Sequence, residues 1–335
     1  MKKFFIGIDV SKEKLDICLT HLGQTISECI IKNNSQAIKG LLKELTKEHT
    51  IDSAELLICA EYTGQYTYLL SCVCSELNMD LWLENPTQIK YRSGVQRSKN
   101  DKLDAQKIAT YAMRYVDEVR LFTLPQKEIN TLKQLISERD LYVVDRARYQ
   151  GQLTDQKRFM DKKDYEKKNK RMNGVIHRLD ISISEIEQDI QSIIDNDETL
   201  SNQHKLLCSV DGIGDRTAIK MIVETNAFQD FKDPRKFCCH AGVAPFSFTS
   251  GSSIHSKNKV SNRADKSIKA LLHMAALSVA TRKSGEMSDY YHRKVAEGKN
   301  KMSVLNAVRA KLVHRMFAVV RNNKFYEKNY INSLV

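Results

Sequence analysis

Three short β-type runs open the chain, KKFFIGIDV, LDICLTH and QTISECIIK, and the spacers SKEK and LG are tight enough for an antiparallel meander. The period then changes. In NSQAIKGLLKELTKEH, Asn34 and Ser35 stand as caps before Ile38, Leu41, Leu42 and Leu45 at helical spacing. AELLICA reads as a buried strand, GQYTYLLSCVCSEL as a helix, MDLWLEN as a further strand and NDKLDAQKIATYAMRY as a further helix. The order βββ–α–β–α–β–α predicts a mixed α/β sheet for residues 1–125.

Beyond Pro125 no proline occurs until Pro234, and Gly151 and Gly174 are the breaks before the glycines at 212 and 214. Met172, Ile176, Leu179, Ile183, Ile186, Ile190 and Ile193 recur at alternating spacings of four and three, a sustained heptad seam among charged residues. We expect an antiparallel or intermolecular coiled coil over 126–200, serving as a spacer or oligomerisation arm. A third region, 201–335, opens on HKLLCSVDGIGDRTAIKMIVET, a helix, a DGIGD turn and a second helix. This is the helix-hairpin-helix pattern. Gly212 and Gly214 would leave backbone N–H groups bare at a helix start, where a phosphate can approach. NRADKSIKALLHMAALSVATR, DYYHRKVAEG and SVLNAVRAKLVHRMFAVVRNN are read as helices whose polar faces carry basic residues.

Charge changes the picture. Net charge is +12, and the stretch from Lys257 to Lys324 holds sixteen Lys/Arg against four Asp/Glu, the whole of that excess. A basic C-terminal third on a near-neutral remainder predicts a nucleic-acid surface. The eight cysteines form no C-x-x-C pair, so neither a zinc site nor a disulfide framework is expected. The start lacks a signal peptide, Asp9 interrupts its apolar run, and no apolar stretch is long enough to span a bilayer. We expect a cytoplasmic, nucleoid-associated protein with no membrane partner.

Four carboxylates stand out. Asp9 lies within the strongly apolar first strand, where an acid is costly unless satisfied by a cation or hydrogen bonds. Glu61 follows LLICA directly, at the strand end where α/β folds place their sites. Asp101 and Asp104 are three residues apart and share a helix face. Asp16, in the hairpin after SKEK, is read as structural. Hard oxygen ligands without nearby His or Cys select Mg²⁺ or Mn²⁺, and two ions about 4 Å apart can assist phosphoryl transfer. Further on, SFTSGSSIHSK is either a flexible surface loop or a nucleophile's seat. Lys257, Lys259 and Arg263 beside it would offset phosphate charge.

GIDVSK, EYTG, KNDKLDAQKIA, DGIG and AGVAPFSFTSG…VSNRADKSIKALLHMAA, in that order and spacing, resemble the DEDD-type transposases of insertion-sequence family 110 and their relatives, the Piv-type DNA invertases. The resemblance spans Phe4 to about Ala280. It implies a RuvC-like N-terminal domain of the RNase H kind whose acids match Asp9, Glu61, Asp101 and Asp104 and hold the metal. It also implies a C-terminal transposase domain whose serine, matching Ser250, attacks the DNA phosphate and becomes covalently attached. A bridge RNA would pair with donor and target DNA, and dimers or tetramers would build composite sites from different subunits. Ser252 and Ser253 depart from the pattern of the relatives, which have a second glycine and basic residues there, and they stand as alternatives to Ser250. Four readings follow: an RNA-guided transposase using a phosphoserine, a RuvC-like metal-dependent endonuclease in which water attacks and the serine loop only grips DNA, a Piv-like invertase with the same residues as the first, and a non-catalytic nucleic-acid scaffold.

Overall fold

A computed structural model describes residues 2–92, 101–246, 249, 250, 254, 255, 259, 260 and 264–328. The chain divides into two compact units, Met1–Leu124 and Pro125–Val335.

In the first unit β1 (Phe4–Val10), β2 (Lys14–His21) and β3 (Gln24–Lys32) form the expected meander. The turn between β2 and β3 places Leu22 and Gly23 at φ 48° and 81°, the two left-handed positions that match the twist of a two-residue hairpin. The helices α1 (Ser35–Glu48) and α2 (Tyr68–Glu76) then carry the chain across to β4 (Leu56–Glu61) and β5 (Leu81–Glu84), which lie parallel to β1. The strand order is β3-β2-β1-β4-β5. This is the mixed α/β sheet expected from the sequence. Two helices follow β5: α3 (Pro86–Arg92), which the hydrophobic pattern did not announce, and α4 (Asp101–Arg114).

Both faces of β1 and β4 are covered, which explains their near-continuous apolar runs. Ile6, Ile8, Leu15, Ile17, Ile58, Leu42 and Leu70 build the core on one face. On the other, Phe5, Leu57, Cys59 and Trp82 meet Ile108, Tyr111 and Ala112 of α4. Gly7 lies at the closest approach. A Cβ there would sit 2.2 Å from the Ala105 carbonyl oxygen and 2.3 Å from the Ala109 nitrogen.

The second unit begins with a long antiparallel hairpin, α5 (Lys127–Gln156) and α6 (Lys162–Asn196). Arg139 reaches Glu187 and Arg146 reaches Asp180 at 2.8 Å, while Tyr165 Oη donates to the Leu153 carbonyl near the tip. The partner of the heptad seam is therefore α5 of the same chain. Ile183, Ile186, Ile190 and Ile194 are buried, and the last three join Ile129 and Leu132 of α5 in the core of the unit. Ile190→Ala leaves a void at that junction. It is expected to cost about 2–5 kcal/mol, read as a lower denaturation midpoint of this unit, whereas Ile176→Ala at the half-buried end of the seam costs less.

The rest of this unit is α7 (Glu198–Cys208), α8 (Asp215–Glu224), α9 (Pro234–His240), α10 (Lys266–Ala280), α11 (Glu286–Ala296) and α12 (Lys301–Asn322). Leu207, Met221, Phe237, Leu272, Leu312 and Met316 meet at its centre. Between α9 and α10 the chain forms short ladders, β6 (Pro245–Phe246) with β9 (Lys259–Val260) and β7 (Thr249–Ser250) with β8 (Ile254–His255). The C-terminal region, expected to be all helical, thus carries one small β-ribbon. No helix among the described residues is long and apolar enough to cross a membrane.

Candidate active site and nucleic-acid groove

Strand register brings acids into one row. Asp9 on β1 pairs directly with Asp16 on β2. On its other side β1 runs parallel to β4 with Ile8 level with Ala60, so the next step sets Asp9 beside Glu61. Glu61 in turn is level with Glu84 on β5. Partners in a ladder point to the same face, and that face lies under α4, since Gly7, two residues before Asp9, touches Ala105 and Ala109. The row directly below it is Cys18, Gly7, Cys59 and Trp82, small or apolar throughout.

Lys14 pairs with Asp16 at 3.0 Å, and Tyr111 Oη donates to Glu84 at 3.0 Å. Burial pushes the Cys59 thiol well above its ordinary range, with the Glu84 and Glu61 carboxylates adding to the effect. Burial also raises the Tyr111 phenol, with the Glu84 carboxylate adding to it. Asp104, on the first turn of α4, is half-buried and pairs with Lys107 at 2.5 Å. Asp101 opens the same helix, and its side chain lies outside the described residues. Asp16, read from the sequence as structural, stands beside Asp9, and Glu84 went unremarked. Such a group of hard oxygens suits Mg²⁺ or Mn²⁺.

The serine region is held at its base. Asp265 N–H donates to the His240 carbonyl at 3.0 Å, closing the two ends of the ribbon together. Gly242, at φ 63°, lies so close to Ala264 that an added Cβ would be 2.3 Å from that side chain. Ser250 pairs with Ile254 on either side of residues 251–253, which puts it at the end of the β7–β8 ladder. The side chains of Ser250 and Lys259, and all of Ser252, Ser253, Lys257 and Arg263, lie outside the described residues.

Gly212 and Gly214 of the helix-hairpin-helix play different parts. Gly212, at φ 85°, packs on α10, where a Cβ would meet Val279 Cγ1 at 2.3 Å. Gly214 caps α8 and has open space where a Cβ would point. The Asp215 carboxylate at this helix start pairs with His204 Nε2 at 3.2 Å. An incoming phosphate would face that charge.

A groove of about 1110 Å³ runs along α12 beside the ribbon base, lined by Lys269, Arg309, Lys311, His314 and Arg315, with Val260 on its wall. The C-terminal helices were expected to turn their basic residues to solvent. Lys311 and Arg321 do, but Arg309 is 6% exposed. It stands one turn from Leu305 and Leu312 on the buried face of α12.

Among the described residues two groups, His204 with Cys208 and Asp215, and Glu224 with His240 and Asp265, each bring ligand atoms within 4.8 Å of one another, a closeness the sheet acids do not reach. Their nitrogen and sulfur donors differ in kind from the oxygen row on the sheet. Burial and the nearby Asp215 carboxylate push the Cys208 thiol up to about 12, so it is no ready nucleophile. Burial opposes ionisation of Glu224, but His240 Nε2 at 3.5 Å and Lys220 at 2.8 Å outweigh it and hold the carboxyl below its usual range. Asp265 is likewise held low, against burial, by Ser267 and Ile268 at the start of α10. Those two carboxylates already have partners in the fold.

Residues 6–156 match the model of a DEDD transposase of the IS110 kind, and residues 204–292 match that of the transposase IS116/IS110/IS902 family. The pilin gene-inverting proteins of Moraxella bovis and Moraxella lacunata are each 26% identical over 340 residues, covering 98% of this chain and 99% of theirs. An uncharacterised protein of insertion element IS110 from Streptomyces coelicolor is 25% identical over 156 residues, covering 46% of this chain and 38% of its own. Among solved structures, RuvC of T. thermophilus in complex with a Holliday junction substrate aligns with 36% of this chain and 99% of its own, at 13% identity and a TM-score of 0.28. With matching transposase models on both units and relatives aligned from end to end, the chain belongs to the IS110 family of DEDD transposases, enzymes of phosphoryl transfer on DNA.

Proposed function

We propose that the chain is a metal-dependent, site-specific DNA recombinase that cuts and rejoins phosphodiester bonds through Ser250. The observation that carries this reading is the acid row, Asp16–Asp9–Glu61–Glu84, under the helix that starts with Asp101 and Asp104. Strand register sets these carboxylates side by side, where their hard oxygens can be shared by one cation. Asp9, Glu61, Asp101 and Asp104 would hold two Mg²⁺ or Mn²⁺ ions, which supply charge stabilisation for the attacking and leaving oxygens.

The protein's own residues have separable tasks. Asp16 and Glu84 flank the row and are steadied by Lys14 and Tyr111. The Ser250 hydroxyl forms a P–O bond as the bond from phosphorus to a deoxyribose oxygen breaks; the serine gives up its proton and the departing oxygen takes one up. Rejoining reverses those changes on a new partner strand. The energy of the broken bond is thereby kept in the phosphoserine, which hydrolysis would lose.

Whole-length similarity to gene-inverting proteins supports inversion as the outcome of that exchange. Transposition guided by a bridge RNA is the second reading, favoured by the transposase models and by the basic groove, which suits either nucleic acid. A dimer or tetramer belongs to both readings.

A trapping assay tests the chemistry. Full-length protein, Mg²⁺ and DNA carrying the recombination site are mixed with or without RNA transcribed from the adjoining non-coding DNA, then resolved on a denaturing gel. Wild type is expected to give a protein–DNA adduct that Ser250→Ala abolishes. Strand cleavage that persists in Ser250→Ala without an adduct overturns the serine step and leaves a water-using nuclease. Dependence of the adduct on RNA selects the guided reading, and independence selects inversion.

A further inference from the structure

We propose that Arg309 and the groove along α12 form a binding site for the phosphodiester backbone of nucleic acid. The assignment rests on the recombinase reading only for the source of the phosphate. The site itself follows from an arginine whose surroundings are incomplete.

Arg309 is more than nine-tenths buried, yet no carboxylate pairs with it among the described residues. Its two hydrogen-bond partners are neutral. One terminal nitrogen donates to His273 Nδ1 at 2.6 Å and the other lies 3.3 Å from Asn306 Oδ1. Nε has no partner. Burial, followed by the charge of Arg309, lowers the pKa of His273, which keeps the ring neutral and able to accept at Nδ1. Asn306 is fixed in turn, since its Nδ2 donates to the Val243 carbonyl at 2.6 Å, at the root of the serine ribbon. The guanidinium is thus held in place by neutral groups while its charge goes unanswered.

A buried charge without a counter-charge is among the more expensive features a fold can carry. What the arginine borders accounts for it. Among the described residues the groove lining also contains Lys269, Lys311, His314 and Arg315, the last of which pairs with Glu286, and no Asp or Glu. A monoatomic anion would satisfy the charge but not the length of the groove. A polyanion with regularly spaced phosphates satisfies both, and guanidinium is the side chain best matched to phosphate oxygens. Placed next to the β6–β9 ladder, between whose strands the chain runs through Ser250, the site would fix the strand being cut at the base of the ribbon. Arg309 is a positioning residue in this scheme.

The test uses the full chain in EDTA, so that it is independent of any cleavage. Two quantities are compared for wild type, Arg309→Met and Arg309→Lys: the rise in melting temperature on adding inorganic pyrophosphate at constant ionic strength, and the affinity for a DNA oligonucleotide across a salt series. Wild type is expected to be stabilised by pyrophosphate, and Arg309→Met not. Affinity of Arg309→Met for the oligonucleotide should drop about 10–100-fold, the loss of a charged hydrogen-bonding group, and the slope of log K against log salt should fall by about one. Arg309→Lys keeps the charge but not the fork, and should fall between the two. Because the methionine removes an unpaired buried charge, it should melt no lower than wild type without ligand. If Arg309→Met instead unfolds, Arg309→Lys decides, and wild-type values for it overturn the proposal. Equal stabilisation of wild type and Arg309→Met by pyrophosphate overturns the anion site. Stabilisation lost with oligonucleotide affinity unchanged overturns nucleic acid as its occupant. Failure of the trapping assay with these binding results intact would overturn the serine chemistry alone.

Discussion

Asp9→Asn is expected to give a folded protein that neither cuts nor joins DNA. Asparagine keeps the shape of the side chain but removes the charge at the middle of the row, between Asp16 and Glu61. The remaining acids cannot share a cation in the same way, since the amide offers one neutral oxygen where the carboxylate offered two charged ones. Loss of an outer-shell partner at a metal site already costs about 10–100-fold, so loss of a central ligand should cost at least about a hundredfold in cleavage rate. Stability separates the two proteins only when a cation is present. In EDTA Asp9→Asn, which keeps the shape of the side chain, should melt near the wild-type temperature. Added Mg²⁺ should raise the melting temperature of wild type and leave the variant nearly unmoved. Thermal melts with and without Mg²⁺, beside a cleavage assay, check both. Full cleavage by Asp9→Asn, or equal stabilisation of the two proteins by Mg²⁺, would sink the assignment.

What could be read from the chain and what could not divide along physical lines. Periodicity exposed β1 to β5, α1 and the seam of α6, because in each the buried face repeats at the period of the element. The same signal was available at Arg309, which takes an apolar position in the run Leu305, Arg309, Leu312, Met316 just as Asp9 does in β1. A charged residue at a core position is informative in both cases, and in α12 it was hidden among many other basic residues. Glu84 was not legible. It ends LWLE just before Pro86 and looks like any acid at a strand end; the register with Glu61 is what gives it a place. Asp16 was discounted because its neighbours in sequence form a hairpin, whereas its neighbour in space is Asp9. The β-ribbon had no apolar alternation to announce it, since Ser, Thr and Lys fill half of positions 245–260. Its ladders come from the closure of its ends by His240, Gly242 and Asp265.

Gly7→Ala is expected to be almost as damaging as loss of Asp9, without touching a carboxylate. The new methyl would lie 2.2 Å from the Ala105 carbonyl oxygen, 2.3 Å from the Ala109 nitrogen and 2.9 Å from its Cα, all of them backbone atoms. Ala105 and Ala109 are themselves buried and already small, so no side chain can move aside. Helix α4 must retreat from the sheet by about an ångström, and it carries Asp101 and Asp104 with it. Overpacking of this kind costs about 1–3 kcal/mol, and a misplacement of about 1 Å at a reacting centre can cost about a hundredfold in rate. Gly212→Ala makes the contrast. There the first obstacle is the Val279 Cγ1 methyl, a side-chain atom, so Val279→Ala should recover part of the stability lost, the rest being the strain of alanine at φ 85° and its contact with the Ala275 carbonyl oxygen at 3.1 Å. No equivalent partner exists for Gly7. A Gly7→Ala protein that melts lower, responds weakly to Mg²⁺ and cleaves slowly would place the spacing between β1 and α4 among the determinants of catalysis. One that cleaves at the wild-type rate would mean that α4 can move without cost, and that the acids it carries are not set by its contact with the sheet.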